Sequence, residues 1–375
     1  MKIIHIITGL NDGGAESVLF RLCERASEYQ HMVISLSDEG KYAALLRNKG
    51  IEVFALGMSA KFPSPFAFFK LVKLIKRYNP DVIQTWMYHA DLLGSFASRI
   101  AGINKIAWGI RHSILERGKS KMTTIWIAKI LSRLSWWLPS QIAVNAQRSI
   151  ESHVSLGYDR SKMCLIPNGY DVAFFQSKPK VAQNLRAEWG IEQNVTLIGT
   201  VGRYNPHKDH NNLLEALSIL RSRKKLLRCV LVGKNLDYNN KALVKEICRF
   251  GLEKMIKLIG PRDDMPEVMS AFDIHVLPSM SEGFPNVVAE AMACETPCIV
   301  TDVGDSAHIV GNTGWVVKPR NPQELADVID KASIERFRDD WIKRCSAARN
   351  RIENEFSIEK MVSNYSAFWK KLQSP

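Results

Sequence analysis

The sequence predicts an α/β protein of two doubly wound parallel-sheet domains, and three observations carry that prediction. Apolar runs of four to seven residues alternate along the whole chain with longer stretches of helical period. The runs are apolar at consecutive positions rather than at every second one, as a strand must be when helices cover both faces of its sheet. The chain has 375 residues, more than one ordinary domain and enough for two that each bury a core. Its hydrophobic share of 46% and charged share of 24% are those of a globular protein, which excludes disordered, collagen-like and coiled-coil chains.

The elements follow in order. Residues 3–7, Ile-Ile-His-Ile-Ile, read as a buried strand, followed by a glycine-rich turn at 9–14 and a helix from about Ala15. Further strands are expected at 33–36, 53–56, 81–86, 106–110 and 141–144. The second half repeats the rhythm at 195–201, 229–232, 256–259, 274–277 and 298–301. Between the two series, Ile166-Pro167-Asn168-Gly169-Tyr170-Asp171 is turn chemistry, and a polar stretch at 176–184 follows it. The domains are therefore set at 1–175 and 176–356, each Rossmann-like. Asn321-Pro322-Gln323-Glu324 opens a late helix with a capping Asn, a first-turn Pro and a Glu three residues on. The last segment, 357–372, is a helix carrying Ile358, Met361, Tyr365, Phe368 and Trp369.

The formal charge is +13, and it is uneven: residues 1–180 hold 24 Lys+Arg and 13 Asp+Glu (net +11), residues 181–375 hold 27 and 25 (net +2). A basic half suits an anionic partner such as nucleic acid, phospholipid or a phosphorylated substrate. Residues 65–78 place Lys70, Lys73, Lys76 and Arg77 near one face and Phe68, Leu71, Val72 and Ile75 on another. Residues 116–139 add Arg117, Lys119, Lys121, Lys129 and Arg133 beside Trp126, Trp136 and Trp137. Cations beside aromatic rings suit an interfacial segment on an anionic membrane; two amphipathic helices packed on a sheet are the alternative. No nucleic-acid module is recognisable, so nucleic acid is not an expected partner. The seven cysteines form no C-x-x-C pair and point to a reducing compartment. No secretory signal and no apolar run long enough to cross a bilayer are visible. The expected location is cytoplasmic, peripheral on the inner face of the membrane.

Open parallel sheets bind ligands beyond the carboxyl ends of their strands. After the first strand, Gly13-Gly14-Ala15-Glu16 fits neither the dinucleotide nor the P-loop signature. The adjacent glycines still let a ligand approach the backbone at a helix start, with a tight turn as the alternative. His89 follows the strand at 81–86, and His112 the strand at 106–110; a structural histidine is the competing reading at each. After 195–201, Arg203 and Lys208 stand before a helix, where a guanidinium and an ammonium make a diphosphate clamp or a solvated surface pair. The most specific stretch is Ser279-Met280-Ser281-Glu282-Gly283-Phe284-Pro285-Asn286-Val287-Val288-Ala289-Glu290. Its two carboxylates flank a helix start whose free N–H groups face a phosphate, and carboxylates on either side accept hydrogen bonds from sugar and ribose hydroxyls. That pattern suits a nucleotide sugar, with surface carboxylates around a helix cap as the alternative.

The combination resembles the retaining glycosyltransferases of family 4, with the two-domain GT-B fold. The resemblance covers nearly the whole chain. It rests on Gly13-Gly14-Ala15-Glu16, on Gly202-Arg203 with Lys208, and on the family's E-x7-E element at Glu282 and Glu290. It implies that Arg203 and Lys208 bind the donor diphosphate, that Glu282 with Gly283, Phe284 and Pro285 contacts the donor sugar, and that Glu290 contacts the ribose. His89 fits a histidine that the family often carries at the cleft. The last helix is expected to return to the first domain, which receives the acceptor, and the domains to close over the crevice. Where many relatives carry Gly-Gly-x-x-Glu, this chain has Val303-Gly304-Asp305-Ser306-Ala307-His308.

There is no Asp-x-Asp, and no His/Cys cluster or H-E-x-x-H suggests a metal. No metal or other cofactor is therefore expected, and Arg, Lys and a helix dipole meet the phosphate charge. The expected activity is transfer of a sugar from a nucleotide-diphosphate sugar to a saccharide acceptor, lipid-linked in similar enzymes of bacterial O-antigen, capsule or exopolysaccharide assembly. Glu282, His89, Arg203 and Lys208 are the catalytic candidates, Glu282 as a group that orients hydroxyls rather than a base. The alternatives are a nucleotide-sugar epimerase on the same fold and a non-catalytic nucleotide-sugar or polyanion binder.

Overall fold

A computed structural model describes residues 1–11, 13–58, 64–111 and 122–373. The chain divides into two compact units, Met1–Gly169 with Ile358–Pro375, and Tyr170–Ser357. Unit 1 holds a seven-stranded sheet of β1 (Lys2–Ile7), β2 (Gln30–Ser35), β3 (Glu52–Ala55), β4 (Val82–Trp86), β5 (Ile106–Ile110), β6 (Gln141–Val144) and β7 (Met163–Leu165), in the order β3-β2-β1-β4-β5-β6-β7. Unit 2 holds a six-stranded sheet of β8 (Thr196–Val201), β9 (Leu227–Val232), β10 (Ile256–Gly260), β11 (Ile274–Leu277), β12 (Cys298–Thr301) and β13 (Trp315–Val317), in the order β10-β9-β8-β11-β12-β13. Every pairing within them is parallel. This is the doubly wound α/β architecture that the sequence predicts.

Strand β1 shows why consecutive apolar residues mark a buried strand. Ile4 and Ile6 join the core under the helices Pro65–Tyr78, Tyr88–Ile100, Met122–Leu134 and Gln147–Ser155. Ile3 and Ile7 join the core on the other face, under Gly14–Arg25, Gly40–Asn48 and Ile358–Gln373. Two short strands escape the sequence reading. β7 and β13 are sheet-edge strands of three residues each, and each carries an exposed residue, Cys164 or Val316. Such runs are too short and too wet to stand out. β2 also begins earlier than expected, because Gln30 and His31 pair with Lys2 and Ile3 at the polar end of β1.

The last helix, Ile358–Gln373, belongs to unit 1. Trp369 is fully buried there and donates its indole N–H to Gln84 Oε1 at 3.1 Å. Tyr365 stacks on Trp86 at 6.0 Å between centroids, and Lys105 donates to Gln373 Oε1 at 2.9 Å. Emptying a site such as that of Trp369 costs about 3–5 kcal/mol. Residues 170–175, placed in the first domain by the turn at 166–171, lie in unit 2, where Tyr170 N–H donates to Phe356 O at 2.9 Å. Among the described residues, no helix is long and apolar enough to cross a membrane.

Candidate active site

Each sheet reverses its strand order in the middle, between β1 and β4 in unit 1 and between β8 and β11 in unit 2. Loops that leave such neighbouring strands at their carboxyl ends diverge to opposite faces and open a crevice. In unit 1 those loops lead to Gly14 and His89. In unit 2 they carry Arg203, Lys208 and residues 282–290. Topology, not sequence proximity, therefore gathers the candidates.

In unit 2 the chain leaving β8 first runs beside the end of β9, with Gly202 N–H donating to Val232 O at 3.0 Å and Tyr204 N–H to Lys234 O at 2.9 Å. Asn205 caps the short 3-10 turn Pro206–Lys208, its Oδ1 accepting from His207 N–H at 2.9 Å. The Lys208 ammonium then lies 2.7 Å from Glu282 Oε1, and the same oxygen accepts from Ser279 Oγ at 2.6 Å. Met280 N–H donates to His207 O at 2.9 Å. An ion pair and a backbone bond thus lock the loop after β8 to the loop after β11. Arg203 is different: it is exposed and makes no hydrogen bond or ion pair among the described residues.

Beyond Glu282 the backbone turns into a helix. Gly283 is half-buried, and Phe284 is buried against Phe356, with ring centroids 5.8 Å apart. Pro285 caps the helix Asn286–Ala293, and no side chain caps its first N–H groups. Uncapped, these donors and the positive end of the dipole suit an anion. Asn286 Oδ1 accepts from the Tyr170 hydroxyl at 2.6 Å, which fixes the helix start. Val287 and Glu290 are half-buried on that helix.

The loop that departs from the family pattern is tied to the same turn. Gly304 has φ +53°, and a Cβ there would meet Gly283 O at 2.4 Å and Glu282 O at 2.5 Å. Asp305 N–H donates to Gly283 O at 2.9 Å. His308 is exposed with its ring 5.7 Å from that of Phe356, which also packs Phe284. The sequence reading placed Ser279 at the start of its most specific stretch without giving it a role, and it missed Arg320. Arg320, three residues past β13, takes a left-handed backbone (φ +55°) and brings Nη2 to 3.7 Å from Met280 Sδ. A cation at a strand's carboxyl end is the available signal, but β13 was itself unrecognised.

In unit 1, Gly13 caps the helix Gly14–Arg25 and Gly14 is its first residue. A Cβ on Gly13 would lie 2.3 Å from Glu16 Oε2. The chain's own carboxylate therefore covers the helix start at which the sequence suggested a ligand anion. His89 is the second residue of the helix Tyr88–Ile100, half-buried, behind a cap at Met87 with φ +71°. Two residues on, Asp91 is buried and accepts from Thr85 Oγ1 at 2.6 Å. Burial pushes its carboxyl up to about 8, against the smaller opposing pull of the Thr85 hydroxyl and the Gly109 N–H. His112, Arg117, Lys119 and Lys121 lie outside the described residues.

The fold also assembles a His/Cys group that the sequence spacing hides: ligand atoms of His5, Cys23 and His31 lie within 4.8 Å of one another. The ring nitrogens of both histidines are already used. Trp86 Nε1–H donates to His5 Nδ1 at 3.2 Å, so the His5 proton sits on Nε2 and is donated to His31 Nδ1 at 3.0 Å. His31 Nε2 in turn donates to Ala26 O at 2.9 Å. Burial keeps both rings neutral, lowering the pKa of His5 and of His31, and it raises that of the Cys23 thiol. A metal on His5 Nε2 would move the ring proton to Nδ1, against the Trp86 N–H. The arrangement is a hydrogen-bond chain bracing the sheet.

Comparison with known proteins gives the family. The model for Glycosyltransferase Family 4 matches residues 12–174, and that for Glycosyl transferases group 1 matches residues 181–349. The chain belongs to glycosyltransferase family 4. This transferase is 26% identical over 308 residues to the UDP-Gal:alpha-D-GlcNAc-diphosphoundecaprenol alpha-1,3-galactosyltransferase of Escherichia coli, covering 78% of this chain and 76% of that one. It is 25% identical over 339 residues to the N,N'-diacetylbacillosaminyl-diphospho-undecaprenol alpha-1,3-N-acetylgalactosaminyltransferase of Campylobacter jejuni, covering 85% and 87%. Its fold matches that of Anabaena HepE in complex with UDP at a TM-score of 0.87 and 25% identity, over 99% of this chain and all of that one. The fold is GT-B and the protein is a glycosyltransferase; the epimerase reading finds no support among these relatives.

Proposed function

We propose that this glycosyltransferase moves a hexosyl group from a uridine-diphosphate sugar to a saccharide carried on a polyprenyl diphosphate, with retention of anomeric configuration, in the assembly of a bacterial surface polysaccharide. The observation that carries the donor half is the Lys208–Glu282 ion pair, which joins the loops at the carboxyl ends of β8 and β11, with the exposed Arg203 on the first of those loops. The names of the Escherichia coli and Campylobacter jejuni relatives support the acceptor class, and the UDP complex of HepE supports the nucleotide.

Arg203 binds the donor diphosphate with its guanidinium fork. Lys208 joins it by exchanging Glu282 for a phosphate oxygen, which frees the Glu282 carboxylate to accept from a sugar hydroxyl. The N–H groups of residues 283–287 face the distal phosphate at the helix start, and Glu290 accepts from the ribose. As the glycosidic bond to the diphosphate lengthens, the sugar gains oxocarbenium character and negative charge grows on the leaving oxygen. Preorganised cations at that point are worth about 3–4 kcal/mol each. No metal is needed in this scheme. In unit 1, Gly14 and His89 stand at the crevice between β1 and β4; in unit 2, His308 touches the sugar beside Gly283. The acceptor carrier places the enzyme peripherally on the cytoplasmic face of a membrane, and unit 1 carries the charge for it, with 25 Lys+Arg against 13 Asp+Glu, a net of +12.

The test is incubation with a panel of UDP-sugars, with and without a short-chain polyprenyl-diphosphate saccharide, followed by mass spectrometry and proton NMR of the product. A new α-linked sugar on the lipid is expected. An epimerised nucleotide sugar formed without acceptor, or a β-linked product, would refute the assignment.

A further inference from the structure

The helices Pro65–Tyr78, Tyr88–Ile100 and Met122–Leu134 cover one face of the unit 1 sheet. Their buried sides are ordinary core. Their outer sides are not ordinary surface. Phe66 is 87% exposed, Phe69 66%, Trp126 64%, Trp136 63% and Trp137 57%. Between them stand the exposed cations Lys70, Lys73, Lys76, Arg77, Lys129 and Arg133. The only carboxylate on these three helices and on residues 135–140 is Asp91, which is buried. Gln147–Ser155, on the same face, adds one exposed acid, Glu151, beside the exposed Arg148. Among the described residues, an outer layer so dominated by cations and large rings is unlike a solvated surface, where charges of both signs mix.

The layer also contains a groove of about 560 Å³ between Met122–Leu134 and the end of Gln147–Ser155. Trp126, Ile130 and Leu134 supply apolar wall, Lys129 and Arg133 the charge, and Leu156 the opposite side. The volume is that of a small-ligand site. The rim is held in place: Trp136 Nε1 donates to Gly157 O at 3.1 Å, and Lys162 Nζ donates to Ser135 O at 2.9 Å and Trp136 O at 2.6 Å. Trp136 thus keeps an exposed ring face without a free polar edge.

We propose that this face docks on an anionic bilayer and that the groove seats one phospholipid, its phosphate on Lys129 and Arg133 and the top of an acyl chain along Trp126 and Ile130. The inference rests on the peripheral-membrane part of the proposed function and names the surface and the subsite. Charge complementarity carries it: Lys and Arg near a bilayer attract acidic headgroups, while Trp and Phe belong at the acyl boundary.

The test is co-sedimentation of the full chain with vesicles of phosphatidylcholine alone or mixed with phosphatidylglycerol, together with tryptophan quenching by brominated lipids. The wild type is expected to bind only the anionic vesicles and to be quenched. Lys129→Glu with Arg133→Glu is expected to weaken partitioning by about tenfold or more. Trp126→Ser with Ile130→Ser is expected to bind more weakly and be quenched less, Trp136 and Trp137 remaining on the face. Lys41→Glu with Lys49→Glu makes the same charge change on the opposite helical layer and should bind as the wild type does. All these sites are exposed, and an unchanged melting temperature and unchanged UDP affinity show that each variant is folded. Equal loss from both charge pairs would overturn the groove while leaving the membrane reading intact. No binding by the wild type would overturn both. A dimer that only the Trp126→Ser/Ile130→Ser variant dissolves, with no vesicle binding, would assign the face to a second copy of the chain and overturn the proposal.

Discussion

Replacing Arg203 by Ala separates chemistry from folding unusually well. The side chain is exposed and bonded to nothing among the described residues, so its removal leaves no buried partner unsatisfied. A substitution of that kind changes stability by less than about 0.5 kcal/mol. For a unit of this size the melting temperature should move by no more than about 2 °C. If the guanidinium meets charge that grows on the leaving diphosphate, the loss in turnover should be roughly 10²–10³, or about 2.7–4 kcal/mol. Ground-state binding should weaken less, since one charge-assisted hydrogen bond contributes about 1.5–3 kcal/mol. The assay is steady-state transfer, with calorimetric binding of UDP and of uridine to the same variant. UDP should bind more weakly and uridine unchanged, because only UDP carries the diphosphate. Arg203→Lys, which keeps the charge but not the fork, should fall between wild type and Ala. Full transfer by the Ala variant, or equal weakening of UDP and uridine, would refute the diphosphate role.

Other expectations follow from the same geometry. Glu282→Gln breaks a pair whose side chains are only 24% and 12% exposed, so the protein should lose about 1–3 kcal/mol in denaturant unfolding. Turnover should fall while UDP binds as well as before or better, because Lys208 loses its competitor; weaker UDP binding would show that Glu282 supports the diphosphate. Gly304→Ala puts a Cβ 2.4 Å from Gly283 O at φ +53°, so roughly 1–3 kcal/mol of strain and a displaced 282–284 turn are expected, and an unchanged melting temperature would contradict that contact. Asp91 gives a pH signature. Its folded pKa, raised to about 8, stands above the ~3.9 of an unfolded Asp, so its contribution is full below that lower value and is lost as pH rises to 8. Asp91→Asn keeps the acceptor for Thr85 and cannot ionise, so urea midpoints taken from pH 5 to 9 should fall less steeply than for wild type; parallel curves would count against a buried neutral acid.

The candidate site was legible where its chemistry is local. Glu282, Pro285 and Glu290 share one loop-to-helix transition, and their spacing alone puts one carboxylate before the helix start and the other on the helix. Arg203 and Lys208 were legible because an apolar run ends just before them. Ser279 stood in the same stretch, but its role was not legible, since a serine carries no such signal until its hydroxyl is seen on Glu282. Arg320 was hidden by the brevity of β13, and the His5–His31–Cys23 group by its spread over two strands and a helix.

The order of apolar runs, the residue types after each and the uneven charge are properties of short segments, and the sequence by itself determined them. It thereby determined the fold class, the family and the candidate donor residues. Tertiary structure decided the rest. Lys208 meets Glu282 across 74 residues because β8 and β11 are neighbours in the sheet, and Gly304 reaches the same turn because β12 follows β11 there. The return of the last helix to Trp86 and Gln84 was decided in the same way. Parallel sheets pair strands that are distant in sequence, so which loops touch depends on strand order and register. Burial acted likewise on charge: dividing the chain at its true boundary leaves unit 2 with 26 Lys+Arg against 25 Asp+Glu, while unit 1 keeps the excess, and Asp91, the one acid on the helices Pro65–Tyr78, Tyr88–Ile100 and Met122–Leu134, is turned inward.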